Sequence, residues 1–257
     1  MTGRLPDFVI AGAPRSGTTW LRSALERHPR IWMAKPVVPE PKFFLVDDLY
    51  TQGIEEYSRR WFSDVPAGCA AGEKSTNYLE SAQAAERMAA HLPDVRLIFV
   101  LREPIARAIS NYRWSVMNGM ETEDFATAIA LEEEREANVD PRLRFARPHA
   151  YVSRGRYARL LQPWFKLFDR DQILVVRFED LAASPGDTLA KIHAHLGVDP
   201  RPDLGGDASA LNRSVGDQVA IDPKTRARLE AEFAPLNREL GDLLGPDFTP
   251  WTYKEVT

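Results

Sequence analysis

The 257-residue chain has a single cysteine, Cys69, and only seven lysines among its 33 basic residues. One thiol excludes an intramolecular disulfide and fits a reducing compartment. No apolar run approaches the roughly 18 residues of a spanning helix, which excludes a membrane-inserted segment. The few apolar residues before the first polar loop are too short for a signal-peptide core, so the expected localisation is cytoplasmic. A net charge of −4 leaves no basic field to gather a polyanion, which argues against a general nucleic-acid binder. Histidines are sparse: His193 and His195 point to different helix faces, His28 and His149 stand alone, and nothing has zinc-ligand spacing. There is no internal repeat and no low-complexity linker.

What the chain does have is an alternation of short apolar runs and amphipathic segments, the pattern of a parallel sheet covered by helices. Strand candidates are 8–13 (FVIAGA), 31–34 (IWMA), 96–101 (RLIFVL) and 172–178 (QILVVRF), with a weaker one at 69–75 (CAAGEKS). Helical spacing is read at 18–28, 81–92, 104–117, 124–136, 156–168, 187–196 and 223–244. Pro104 suits a first turn, Ser184-Pro185 opens the sixth helix and Gly197 closes it. The expected fold class is α/β, a P-loop-like three-layer fold with a central parallel β-sheet flanked by helices, in one domain over 1–257.

Residues 118–155 carry dense acidic then basic charge and no strand pattern. They read either as an acceptor-side insertion at an active-site mouth or as a solvated surface insertion. The acidic run 131–136 (LEEERE) reads as a solvated helix face. Arg142, Arg144, Arg147, Arg154 and Arg156 either favour an anionic acceptor or balance the acids before them.

Between the first strand and the first helix stands GAPRSGTT, Gly12 to Thr19. Strand, loop and helix in this order aim backbone N–H groups and the positive helix end at one point. Glycine lets the backbone approach an anion closely, Thr18 and Thr19 add hydroxyls, and Arg15 is the loop's one cation. A nucleotide-hydrolysing P-loop needs a lysine after its last glycine and a neighbouring-strand carboxylate for Mg²⁺. Here Thr18 follows Gly17, and the strand 96–101 ends in Arg102. The cradle points to an anion held by protein cations alone. A P-loop nucleotide kinase-like phosphotransferase and a catalytically silent nucleotide-binding module are the alternatives.

The stretch GAPRSGTTWLRSALERHP resembles the 5′-phosphosulfate loop of sulfotransferases that use 3′-phosphoadenylyl sulfate (PAPS). RLIFVLREPIARAISNY resembles the same family's 3′-phosphate motif, and PEPKFF (39–44), GEKSTNYL (72–79), GRYARLLQPW (155–164) and ILVVRFEDL (173–181) match further motifs in the family's order. The pattern is most similar to the carbohydrate branch, with its heparan sulfate enzymes and bacterial relatives. The resemblance implies PAPS as donor, adenosine 3′,5′-bisphosphate (PAP) as product, and no metal. It implies a small-molecule or glycan acceptor, sulfated on a hydroxyl or an amine. Arg15, Ser16, Gly17, Thr18 and Thr19 would hold the 5′ side, Arg102 and Ser110 the 3′-phosphate, and Tyr157 would lie near the nucleotide or in the core. Arg15 departs from the lysine of many relatives but resembles the protein-tyrosine and some carbohydrate sulfotransferases. The basic loop that closes over the 3′-phosphate in heparan enzymes is matched only by LNRSVGDQ (211–218), with Arg213 its sole cation.

Two glutamates compete for the role of base. By resemblance Glu40 matches the base of 3-O-type glycan sulfotransferases, and Glu73 matches the base proposed in the N-sulfating branch. Glu40 is the first choice, with Glu73 a positioning residue or alternate base. Lys42 and Lys74 flank them, either holding donor sulfate or acceptor, or solvated. Arg15 is expected to neutralise charge on the 5′-phosphate as the sulfuryl group leaves.

Overall fold

The computed structural model describes residues 4–206 and 221–253. These fall into two compact units, 4–101 with 163–206 and 102–162 with 221–253. The strands are β1 (Phe8–Gly12), β2 (Ile31–Met33), β3 (Ala70–Lys74), β4 (Arg96–Leu101) and β5 (Ile173–Arg177). The helices are α1 (Thr18–Leu25), α2 (Asp47–Tyr50), α3 (Ile54–Phe62), α4 (Ala82–His91), α5 (Pro104–Met117), α6 (Phe125–Ala130), α7 (Glu132–Ala137), α8 (Tyr157–Leu167), α9 (Phe178–Ala183), α10 (Pro185–His195) and α11 (Pro223–Leu244).

All five strands belong to the first unit and pair in parallel in the order β2-β3-β1-β4-β5. The α/β architecture expected from the sequence is the one observed, a central parallel sheet flanked by helices. Val9 of β1 lies beside Glu73 of β3 on one side and Leu97 of β4 on the other. That register carries the ends of these three strands to one edge of the sheet, where open α/β folds bind their ligands. β1 is buried along its whole length because its residues are apolar on both faces. On one face Ile10, Leu21, Leu25, Met33, Ile98 and Leu189 form a continuous core that ties α1 and α10 to the strands.

In the second unit Ile105 and Ala108 of α5, Phe125 of α6 and Leu229 and Phe233 of α11 pack with Tyr151 into a core of their own. Residues 118–155 belong here, and they correct one reading. Glu132, expected on a solvated face, is buried, and its carboxylate accepts the backbone N–H of Val152 at 2.6 Å and of Ser153 at 2.9 Å. Glu121 is buried too, paired with Arg135 at 2.6 Å and accepting from the Tyr151 hydroxyl at 2.8 Å. The expected helix over 124–136 is two short helices joined at Leu131, whose ψ of 0° breaks the α-helical path.

Three helices were not expected: α2, α3 and the short α9 that follows β5. The first is a single turn of mixed polarity. The second, IEEYSRRWF, buries Tyr57, Ser58, Trp61 and Phe62 at i, i+1, i+4 and i+5. No helix among the described residues is long and apolar enough to cross a membrane.

Candidate active site

The loop after β1 is shaped by its glycines. A Cβ at Gly12 would stand 2.6 Å from the Cβ of Leu79, so only glycine lets residues 76–80 pack against the loop. Gly17 caps α1 with φ 78°, left-handed backbone that glycine adopts without a Cβ penalty. No side chain caps this helix, and its first internal hydrogen bond runs from Leu21 N–H to Gly17 O at 3.0 Å. The N–H groups ahead of that bond have no carbonyl to meet inside the helix. Ser16 is wholly buried, and its hydroxyl has no hydrogen-bond partner among the described residues. A buried polar atom of that kind is costly unless a ligand satisfies it, so the loop fits an anion at this helix end. Arg15 adopts φ 68° and is exposed, while Thr18 is buried and Thr19 exposed.

Beside this loop in the first unit lie both candidate bases. Glu40 follows β2 on the 39–44 loop, and its carboxylate forms an ion pair with the Lys74 ammonium. The Lys42 ammonium stands 3.9 Å from its other oxygen, and the Thr76 backbone N–H donates to that oxygen at 3.4 Å. The side chains of Lys74, Glu40 and Lys42 are 7%, 15% and 17% exposed, so neither lysine is a solvated surface group. The site concentrates two cations and one carboxylate in a largely dehydrated corner, where charges act more strongly than in water. A cleft of about 140 Å³ opens at Glu40, walled by Pro39, Pro41, Phe43, Tyr57 and Trp61.

Glu73 is a different kind of carboxylate. It lies in β3, fully buried, and accepts from Ser75 Oγ at 2.7 Å, Tyr57 OH at 2.8 Å and Tyr78 OH at 3.1 Å. Burial pushes its pKa up from 4.5 to about 7, against the pull of those three hydrogen bonds and with a small further push from the Glu40 charge. The same burial and the Glu73 charge hold Tyr57 and Tyr78 far above the usual phenol range, so both stay donors.

The second unit holds the remaining site candidates. Arg102 directly follows β4 and Ser110 sits on α5; both are buried. The Tyr157 hydroxyl donates to the Arg102 carbonyl at 2.8 Å, so this core tyrosine fixes the backbone of the arginine. Glu103 caps α5 through the N–H groups of Ile105 and Ala106 at 2.9 and 2.6 Å. Three of the arginines after 140 have partners within this unit: Arg147 pairs with Glu136 at 3.0 Å, Arg156 with Glu232 at 3.0 Å, and Arg154 donates to Asn111 at 2.9 Å.

The sequence model of the sulfotransferase domain matches residues 5–209. The chain belongs to the sulfotransferase domain family. It is 28% identical to mouse heparan sulfate glucosamine 3-O-sulfotransferase 3B1 over 76% of this chain and 47% of that protein. It is 26% identical to mouse bifunctional heparan sulfate N-deacetylase/N-sulfotransferase 3 over 98% of this chain and 32% of that protein. The chain thus spans half or less of the length of these relatives. A crystal structure of a sulfotransferase from Alicyclobacillus acidocaldarius matches with a TM-score of 0.80 and 30% identity, covering 95% of this chain and 98% of that one.

In this sulfotransferase domain the structure gathers Arg15, Ser16, Gly17, Thr18, Thr19, Glu40, Lys42, Glu73 and Lys74 in the first unit, and Arg102, Ser110 and Tyr157 in the second. Arg213 lies outside the described residues. The sequence reading missed Tyr57, Ser75 and Tyr78, the three donors to Glu73. The apolar spacing of Ile54, Tyr57, Trp61 and Phe62 was the available signal for Tyr57.

Proposed function

We propose that the protein transfers a sulfuryl group from PAPS to a hydroxyl or amine of a carbohydrate, glycolipid or glycosylated small metabolite, with Glu40 as the base. The observation that carries this reading is the Glu40 carboxylate held between Lys42 and Lys74, in a chain of the sulfotransferase domain family. Family membership supports a sulfuryl donor over a nucleoside triphosphate. In this reading 1–257 works as one domain and 118–155 contributes on the acceptor side.

The chemistry asks little covalent work of the protein. The bond from sulfur to the oxygen bridging it to the 5′-phosphate breaks, and a bond from sulfur to the acceptor oxygen or nitrogen forms. The acceptor proton passes to Glu40, and PAP departs. Arg15, the Ser16 hydroxyl and the first-turn N–H groups of α1 stabilise the charge that grows on the leaving phosphate. Arg102 and Ser110 take the 3′-phosphate, for which arginine's fork is well suited. Lys42 and Lys74 balance the sulfuryl oxygens beside Glu40. The aromatic wall of the cleft, Phe43, Tyr57 and Trp61, suits the face of a sugar ring or an apolar aglycone.

The test is transfer of radiolabelled sulfate from PAPS to a panel of acceptors: heparan-type oligosaccharides with free hydroxyls or free amines, a neutral glycolipid and p-nitrophenyl glucoside. Label on at least one of them, lost in Glu40→Gln, is the expected result. Label on none, with PAP nonetheless bound, would leave a silent nucleotide-binding module as the better account.

A further inference from the structure

Three consecutive residues of the loop that carries Glu40 are each fixed by a different partner of Glu73. The Lys42 backbone N–H donates to Ser75 Oγ at 2.9 Å, and the Phe44 N–H donates to Tyr78 OH at 3.3 Å. Between them the Phe43 ring stacks on the Tyr57 ring, with centroids 4.5 Å apart and planes inclined by 22°. Ser75, Tyr78 and Tyr57 are the three hydroxyls that donate to the Glu73 carboxylate. Residues 42, 43 and 44 therefore converge, through one side chain each, on a single buried group.

The loop needs such fastening. Lys42 adopts φ 49°, in the left-handed region that a residue with a side chain rarely enters. Residues in that region persist where their surroundings over-determine them, and they cluster at functional sites. A carboxylate suits the centre of this arrangement because it only accepts, with room for several donors. The Ser75 and Tyr78 hydroxyls, pointing their protons at Glu73, keep their lone pairs for the backbone N–H groups of Lys42 and Phe44. A neutral group in the same place has to donate to one of its partners. The proton of that hydroxyl then has no acceptor in a buried space, and one loop anchor loosens.

We propose that Glu73 is a positioning residue: through Ser75, Tyr57 and Tyr78 it sets the conformation of residues 42–44 and so the aim of Glu40 and Lys42 at the reacting groups. The proposal rests on the reading of Glu40 as base. The groups facing Glu73 are Tyr57 from α3, Ser75 and Tyr78 from the segment after β3, and the Glu40 charge from the loop itself. Because burial brings its proton affinity near neutrality, protonation of Glu73 imposes the same loss of an anchor that an amide would. Turnover then falls below about pH 7 through Glu73.

The experiment compares the whole protein with Glu73→Gln, Ser75→Ala, Tyr78→Phe and Glu40→Gln. Turnover of PAPS to PAP with water as acceptor is followed across pH, alongside hydrogen exchange at the Lys42 and Phe44 amides. Misplacement of a reacting group by an ångström or less costs on the order of 10- to 100-fold. Glu73→Gln is expected to lose that much kcat with KM for PAPS nearly unchanged, to lose the acid limb near pH 7, and to speed exchange at both amides. Ser75→Ala should free the Lys42 amide alone and Tyr78→Phe the Phe44 amide alone; these two carry the test should Glu73→Gln fail to fold. Native kcat and an intact acid limb in Glu73→Gln, or unchanged exchange in the two single-anchor variants, overturns the positioning role. Retained turnover in Glu40→Gln with none in Glu73→Gln instead overturns Glu40 as base and promotes Glu73.

Discussion

The Lys74 ammonium and the Glu40 carboxylate form an ion pair in which the lysine side chain is only 7% exposed. A pair this dehydrated stands on mutual charge compensation: removing Glu40 leaves the Lys74 ammonium buried and uncompensated, whereas removing Lys74 leaves Glu40 with the Lys42 ammonium 3.9 Å away. The consequences for turnover differ according to which member is removed.

Glu40→Gln keeps the shape of the side chain and removes its basicity. Turnover is expected to fall at least about a hundredfold, the scale of general-base catalysis, with PAP affinity nearly intact. Steady-state kinetics beside PAP titration checks this. Near-normal turnover would exclude Glu40 as the base.

Lys74→Met removes the cation and keeps the apolar stem. If the ammonium serves the sulfuryl group, turnover of PAPS falls by about 10- to 100-fold while PAP, which lacks that group, binds as before. Equal losses in PAP affinity and turnover would assign Lys74 to the nucleotide instead.

Stability should carry the mark of Glu73. Its pKa rises from 4.5 to about 7 on folding, so between those values the native state holds more protons than the unfolded chain. The stability contributed by Glu73 is therefore fully present below about pH 4.5 and is lost as pH rises through about 7. Glu73→Gln lacks this dependence. Urea unfolding of the two proteins at a series of pH values should show the variant gaining on the wild type as pH rises across that window. A constant difference would mean that Glu73 titrates normally.

Glu132→Ala should cost about 2–3 kcal/mol, because it leaves the N–H groups of Val152 and Ser153 without their acceptor. Denaturant unfolding measures it, and a loss below about 0.5 kcal/mol, ordinary for surface positions, would return Glu132 to the solvated face that the sequence suggests.

That last pair of outcomes shows where the sequence was legible. Strands such as RLIFVL are buried on both faces, so their apolar runs announce them, and all five were found with bounds within a residue or two. The cradle was equally plain, since Gly12 and Gly17 answer local demands of packing and φ. Glu132 was misread because the N–H groups that donate to it lie 20 and 21 residues away, a pairing that a charge run does not encode. Glu73 was named as a candidate through its motif. Its enclosure depends on Tyr57, 16 residues earlier on a helix whose short apolar stripe was overlooked among charges.

The most direct test of the donor assignment is a calorimetric titration with PAP beside AMP and ATP–Mg²⁺, repeated on Arg102→Ala. PAP should bind most tightly, and Arg102→Ala should erase its advantage over AMP by on the order of 10- to 100-fold, the value of hydrogen bonds to a charged group. Preference for ATP–Mg²⁺, or a PAP advantage untouched by the loss of Arg102, would contradict a site built to read a 3′-phosphate.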